Sequence, residues 1–259
     1  MAKAKTAFVC NDCGADFPKW QGQCGECHAW NTLSEIRLSG PVSKSASVRS
    51  TGRSGYAGAT ASVQRLEEVA VVDLPRLRSG FDEFDRVLGG GFVPGSSILI
   101  GGHPGAGKST LLLQTLCRLA AQQPALYVTG EESPEQIALR ANRLGLPTDQ
   151  LQLMAETDVD AILASVEALK PRVLVVDSIQ VVHSETLTSA PGSVSQVRDC
   201  AAQLTRYAKQ TGIVLILVGH VTKDGSLAGP KVLEHMIDCS ILLEGDHDSR
   251  FRTLRGQKN

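Results

Sequence analysis

From Gly102 to Thr110 the chain reads Gly-His-Pro-Gly-Ala-Gly-Lys-Ser-Thr, a match to the phosphate-binding pattern GxxxxGK(S/T). Glycines in such a loop let backbone N–H groups turn inward around phosphate oxygens, and the helix that follows offers its positive N-terminal end to the same anion. Gly102, His103, Pro104, Gly105, Ala106 and Gly107 form the cradle and Thr110 closes the motif. Lys108 reaches the β- and γ-phosphates, and Ser109 ligates Mg²⁺. The apolar run Ser97-Ile98-Leu99-Ile100 before the loop and Leu111-Leu112-Leu113 after it supply the strand and the helix that the motif requires. The chemistry is nucleoside triphosphate binding.

Two further carboxylate positions fit that chemistry. Val173-Leu174-Val175-Val176-Asp177 has the form of a buried strand ending in an acid, and Asp177 would hold Mg²⁺ through its water shell. Four aliphatics and an Asp are common, but about 70 residues after the phosphate loop they gain meaning, because the two strands can then lie side by side. Hydrolysis also needs a group to activate water, and Glu131 and Glu132 follow the strand Ala125–Thr129. Adjacent carboxylates cannot both point the same way, so one faces the γ-phosphate and the other faces solvent or a helix N-terminus. The bland reading is that both merely favour the positive start of the next helix. His220, after the strand Ile213–Val218, is either a γ-phosphate sensor or a satisfied core histidine. The polar loops 183–195 and 222–231 should leave the same edge of the sheet, as solvated loops or as DNA contacts. Arg198, Lys223 and Lys231 are the candidate DNA-phosphate contacts.

Four of the seven cysteines stand in the first 27 positions. Cys10-x-x-Cys13, ten intervening residues, then Cys24-x-x-Cys27 is the spacing of a tetrathiolate zinc site. Two disulfides or a redox pair are the competing readings, disfavoured by compartment and by surroundings. Four thiolates leave no open position, so the zinc is structural, and His28 is surplus to the set. Cys117, Cys200 and Cys239 fall in apolar segments and read as small buried residues.

The elements that must position these groups follow from the pattern of apolar runs. Residues 1–35 form the cysteine module, too short to build its own apolar core. Residues 36–65, Ser-, Gly- and Ala-rich from Ser39 to about Val63, read as a flexible linker. From 66 to 259 strand-like runs alternate with helical patterns, the form of an α/β domain with a mainly parallel sheet covered on both faces. The strands are Ser97–Ile100, Ala125–Thr129, Leu151–Met154, Val173–Val176, Ile213–Val218, Cys239–Glu244 and Phe251–Arg255. One helix starts at the capping box Ser133-Pro134-x-Gln136 with Ile137, Ala141 and Leu144 on its apolar face. Others run over about Val159–Leu169 and Val194–Lys209. A net charge of -1 confines any basic surface to a patch, and no apolar run is long enough for a membrane span or a signal peptide. A cytoplasmic location, with no membrane partner, is the expectation.

Taken together, the four-cysteine finger, the segment Ser79 to Ser96, the phosphate loop, Thr129-Gly-Glu-Glu-Ser133, the strand ending at Asp177 and the terminal Arg255-Gly-Gln-Lys-Asn259 resemble the bacterial RadA (Sms) family of DNA-repair ATPases, within the RecA-like and DnaB-like motors. The resemblance spans nearly the whole chain. It implies a RecA-like P-loop ATPase core behind a zinc finger, with ATP, Mg²⁺ and Zn²⁺ as cofactors and Glu131 as the catalytic carboxylate. It implies a DNA-dependent, helicase-like ATP hydrolase that translocates on single-stranded DNA and branch-migrates recombination intermediates with RecA, as a homo-hexamer. In that family a Lys-Asn-Arg-Phe-Gly motif and a Lon-protease-like domain follow the last core strand. Lys258 then stands as a sensor, and the end at Asn259 reads as a truncation within the motif. A RecA-like switch that ignores DNA, or a nucleotide-binding fragment without motor activity, are the alternatives.

Overall fold

The computed structural model describes residues 5–10, 16–26, 28–38, 65, 67, 75–220, 233, 235–245 and 251–259. Cys13, Cys27, Lys223, Lys231, the loop 222–231 and nearly all of the 36–65 segment lie outside the described residues.

The ATPase-like part is a seven-stranded sheet in the order β10-β9-β4-β8-β7-β5-β6. The strands are β4 (Ser97–Gly101), β5 (Ala125–Thr129), β6 (Gln152–Ala155), β7 (Val173–Asp177), β8 (Val214–Val218), β9 (Cys239–Glu244) and β10 (Thr253–Lys258). All neighbours are parallel except β9 and β10. Helices α1 (Asp82–Val87), α2 (Lys108–Ala120), α3 (Pro134–Arg143), α4 (Val159–Leu169) and α5 (Val194–Thr211) cover it. Alternate residues of one strand enter different cores. Ile98, Ile100, Val173, Val175, Val214 and Ile216 pack with Leu112 and Leu116 of α2 and Ile137 of α3. Leu99, Leu174, Val176, Leu215 and Leu217 pack with Ile162 of α4 and Leu204 of α5. Strands buried on both faces require a largely apolar run, which β4, β5, β7, β8 and β9 have, whereas the edge strands β6 and β10 stay partly exposed.

All seven expected strands form. The last lies at 253–258 instead of 251–255, because its partner β9 sets the register Leu254↔Leu243 and Arg255↔Leu242. The phosphate-loop strand and the Asp177 strand are not neighbours: β8 sits between them and hydrogen-bonds to both. The capping box at Ser133 is present, and Ile137 and Ala141 are buried. Leu144 is not on that buried face; it follows the helix as its C-cap and is 37% exposed.

The N-terminal module contains a three-stranded antiparallel sheet, β2-β1-β3, from β1 (Lys5–Cys10), β2 (Asp16–Phe17) and β3 (Leu33–Leu38). The module boundary expected at residue 35 falls inside β3, which pairs with β1 out to Lys5↔Leu38. Its buried centre is Cys10, Cys24 and Leu33, flanked by Phe8 and Phe17.

Candidate nucleotide-binding site

The phosphate loop leaves β4 at its C-terminal end and enters α2 at Lys108. Gly105 (φ 80°) and Gly107 (φ 102°) take left-handed backbone, which any side chain with a Cβ resists. Gly107 is the N-cap of α2 and accepts from the Leu111 N–H at 2.9 Å. His103, Pro104 and Gly105 are exposed, Ala106 is buried, and Gly102 packs against the Leu243 carbonyl of β9. Lys108 is 5% exposed, and its ammonium donates to the carbonyls of Gly102 (2.8 Å) and His103 (3.1 Å). Burial lowers its pKa, against the pull of Asp177 and Glu131.

Asp177 ends β7, 8% exposed, and accepts from the Tyr127 hydroxyl at 2.5 Å. Burial is the largest cause holding its carboxyl above the usual range, and the charges of Glu131 and Glu132 add to it, against the lowering influence of Ser109 and Tyr127. A buried carboxylate beside a helix-start hydroxyl is the hard oxygen set that a Mg²⁺ ion takes, usually with waters retained. Ser109 and Asp177 therefore fit that ion. Tyr127 is the residue that motif reading misses. It is 1% exposed, one strand over from Asp177 and two residues off its register partner Thr129, and burial first, then Asp177, raises its pKa well above the ordinary phenol value.

The two glutamates diverge. Glu132 is turned onto α3, where Arg140 donates to both its carboxylate oxygens, to Oε2 at 2.6 Å. The sequence leaves the spare carboxylate to solvent or a helix N-terminus; a helix arginine takes it instead. Glu131 points to the ends of β7 and β8, where its Oε1 accepts from the Ser178 hydroxyl and lies 3.1 Å from His220 Nε2. Burial is the largest influence on its pKa and pushes it up. The Ser178 and His220 hydrogen bonds, with the His220 and Lys108 charges, outweigh that and hold the carboxyl below its usual range.

His220 is thus joined to Glu131 and is not a satisfied core histidine, since its Nδ1 is buried without a partner among the described residues. The loop 183–195 is not simply solvated: Ser184 is 1% exposed, and the buried Gln196 amide donates to the carbonyls of Ser184 (3.2 Å) and Ser189 (2.9 Å) while accepting from the Ser184 N–H (2.8 Å). Arg198 is exposed on the second turn of α5. Lys258 is not brought to this site. It pairs with Ser240 on β9 and donates to the Ile237 carbonyl at 2.6 Å, toward the sheet end away from the phosphate loop. In the N-terminal module Cys10 and Cys24 are fully buried, and Cys24 opens a tight turn in which it accepts from the His28 N–H (3.0 Å) and donates to Ala29 (2.9 Å). Two buried thiols brought together by a strand end and a turn fit half of a thiolate metal site. His28 is exposed.

A phosphate loop at the C-terminal edge of a three-layer α/β sheet, with carboxylates at the ends of two neighbouring strands, defines a P-loop ATPase fold. The chain belongs to the AAA domain family, whose model matches residues 63–226. A second model, described as a rubredoxin metal binding domain, matches residues 8–35. Within this class the chain is similar over its whole length to proteins named DNA repair protein RadA, the family its motifs resemble. It is 62% identical over 260 residues to that of Escherichia coli (strain K12), 56% over 259 to that of Pseudomonas aeruginosa and 46% over 264 to that of Bacillus subtilis (strain 168). Each comparison covers 100% of this chain and 56% of the relative, so the chain spans a little over half of their length. Among solved structures, a KaiC-like protein of Pyrococcus horikoshii OT3 superposes with a TM-score of 0.59 at 23% identity, covering 71% of this chain and 88% of that one. That likeness shows the shared fold. Among the described residues no helix is long and apolar enough to cross a membrane.

Proposed function

We propose that the chain is a DNA-dependent ATP hydrolase of recombinational repair. In this reading it translocates on single-stranded DNA and branch-migrates recombination intermediates in cooperation with RecA, in the cytoplasm, as a homo-hexameric ring. The observation that carries the hydrolytic part is the division of labour between the glutamates: Arg140 occupies Glu132, which leaves Glu131 as the carboxylate beside Lys108 and Asp177. Lys108 and the loop N–H groups hold the β- and γ-phosphates. Ser109 and Asp177 would hold Mg²⁺, which when bound would supply charge neutralisation to the phosphates. Glu131 takes a proton from the attacking water, whose oxygen bonds to the γ-phosphorus as the bond to the bridging oxygen breaks and ADP leaves with the electron pair. His220, bonded to Glu131 and adjoining the 222–231 loop, reports the state of the γ-phosphate to that loop. Arg198, Lys223 and Lys231 contact DNA phosphates, and Cys10, Cys13, Cys24 and Cys27 bind a structural Zn²⁺. The name of the relatives and the match to 56% of their length support the repair role.

ATP turnover measured with and without single-stranded DNA tests the proposal. Turnover that rises with DNA and disappears in Lys108→Ala is the expected result. Turnover indifferent to DNA would refute the motor role and favour a nucleotide switch.

A further inference from the structure

The strand ends around Glu131 hold one more polar group. Ser178 follows Asp177 across a cis peptide bond and is 0% exposed. A hydroxyl so placed carries a desolvation cost unless it has a partner. Its partner is Glu131 Oε1, 47 residues away in sequence. The backbone around the serine is anchored to both elements that bring the other members of the cluster: the Gly130 N–H donates to the Asp177 carbonyl at 2.8 Å, and the Ile179 N–H donates to the Val218 carbonyl at 3.0 Å. Ser178 therefore stands where the turn carrying Glu131 and the strand leading to His220 meet the end of β7.

Both contacts converge on one carboxylate oxygen. A carboxylate only accepts, so His220 Nε2 is the donor in its 3.1 Å contact, and Ser178 is the second donor on the same Oε1. Among the described residues Oε2 has no hydrogen bond. The last torsion of a free glutamate is broad, so nothing intrinsic selects which oxygen faces a reactant. Two donors on Oε1 make that selection.

We infer that Ser178 is a positioning residue for hydrolysis: its hydroxyl, with His220, fixes Glu131 by Oε1 and presents Oε2 to the attacking water. This rests on the reading of Glu131 as the group that takes the water proton. Ser178 itself touches neither nucleotide nor water in this role.

The test is ATP hydrolysis by the chain and its Ser178→Ala, Glu131→Gln and double variants, in steady state and in single turnover with labelled ATP, with a melting curve for each. Hydrogen-bond partners that orient a metal ligand typically carry about ten- to a hundredfold in affinity or activity, and a partner that orients a general base is expected to carry a similar share. The expected result is a kcat loss of about that size in Ser178→Ala with KM for ATP nearly unchanged, the signature of an interaction realised in the transition state. In the Glu131→Gln background, Ser178→Ala should add no further loss, because the serine acts through the carboxylate. Wild-type kcat in Ser178→Ala, or an equal loss on top of Glu131→Gln, overturns the inference while leaving Glu131 as the base. Wild-type turnover in Glu131→Gln overturns the reading of Glu131 itself, and the inference with it.

Discussion

Replacing Gly130 by alanine should damage stability and catalysis together, and the reason lies in how closely two segments pass. Gly130 follows the last residue of β5 and precedes Glu131. A Cβ there would lie 3.1 Å from Thr157 Cγ2 and inside 3.0 Å of Val181 Cγ2. Carbon atoms pack at about 3.5–4.0 Å, so relief requires a displacement on the order of 1 Å. Val181 has little room to give way. The flanking Ile179 and Val182 are buried, Ile179 is bonded to Val218 (3.0 Å), and the His183 N–H donates to the Thr157 carbonyl (2.8 Å). The opposite side is no softer, because the Thr129 hydroxyl closes the turn onto the Glu132 carbonyl (2.8 Å) and N–H (3.1 Å).

Overpacking of this kind costs about 1–3 kcal/mol. For a domain of this size that is about 2–4 °C of melting temperature per kcal/mol. The displacement falls on the peptide units beside Ser178 and Glu131, and a 1 Å error in a catalytic group costs on the order of a hundredfold in rate. Thermal melts and kcat for Gly130→Ala, Val181→Ala and the double variant decide the matter. Removing the Val181 methyls should restore much of what Gly130→Ala loses, a coupling of about 1–2 kcal/mol between contacting residues. Gly130→Ala with unchanged melting temperature and kcat, or strictly additive effects in the double variant, would refute the packing account.

Two other perturbations separate roles that look alike in sequence. Glu132→Gln should retain most of the turnover while Glu131→Gln loses it, and Arg140→Ala should cost about 1 kcal/mol, as for a pair only partly removed from water; comparable rate losses at both glutamates would contradict the assignment. Alkylation followed by mass spectrometry should leave Cys117, Cys200 and Cys239 unmodified in the native chain, and Cys10 and Cys24 should react only after chelation of a bound metal. Burial is the first cause of raised pKa at all three core thiols, up to about 12 at Cys200 and about 11 at Cys239. The folded state holds those protons more tightly than the unfolded chain does. Stability should therefore fall as pH rises from about 9 toward 11, and denaturant midpoints that do not move across that window would contradict it.

How much of this was legible beforehand depends on what each residue had to specify. The phosphate loop, Asp177 and the alternation of strands and helices could be read locally, because a glycine that must turn or a strand buried on both faces shows in its own composition. Strand order could not. Val173–Val176, Val214–Val218 and Ser97–Ile100 are equally apolar on both faces, so nothing in them states that β8 and not β7 lies beside β4. Tyr127 and Ser178 were opaque for a related reason: each is an ordinary residue until the register places it next to an acid from another segment, and His220, visible as a candidate, lacked its partner Glu131 until then. What separates Glu131 from Glu132 is Arg140, two helical turns further on, whose pairing with Glu132 depends on the entry angle of α3. In the first module four cysteines carry the spacing expected of a metal site, yet six-residue strands without clean polar/apolar alternation hid the sheet, and β3 runs past the expected boundary to Leu38. Residues that bind a ligand by backbone and spacing are visible in one dimension; residues that act by orienting another side chain are visible only when strand ends have been brought together.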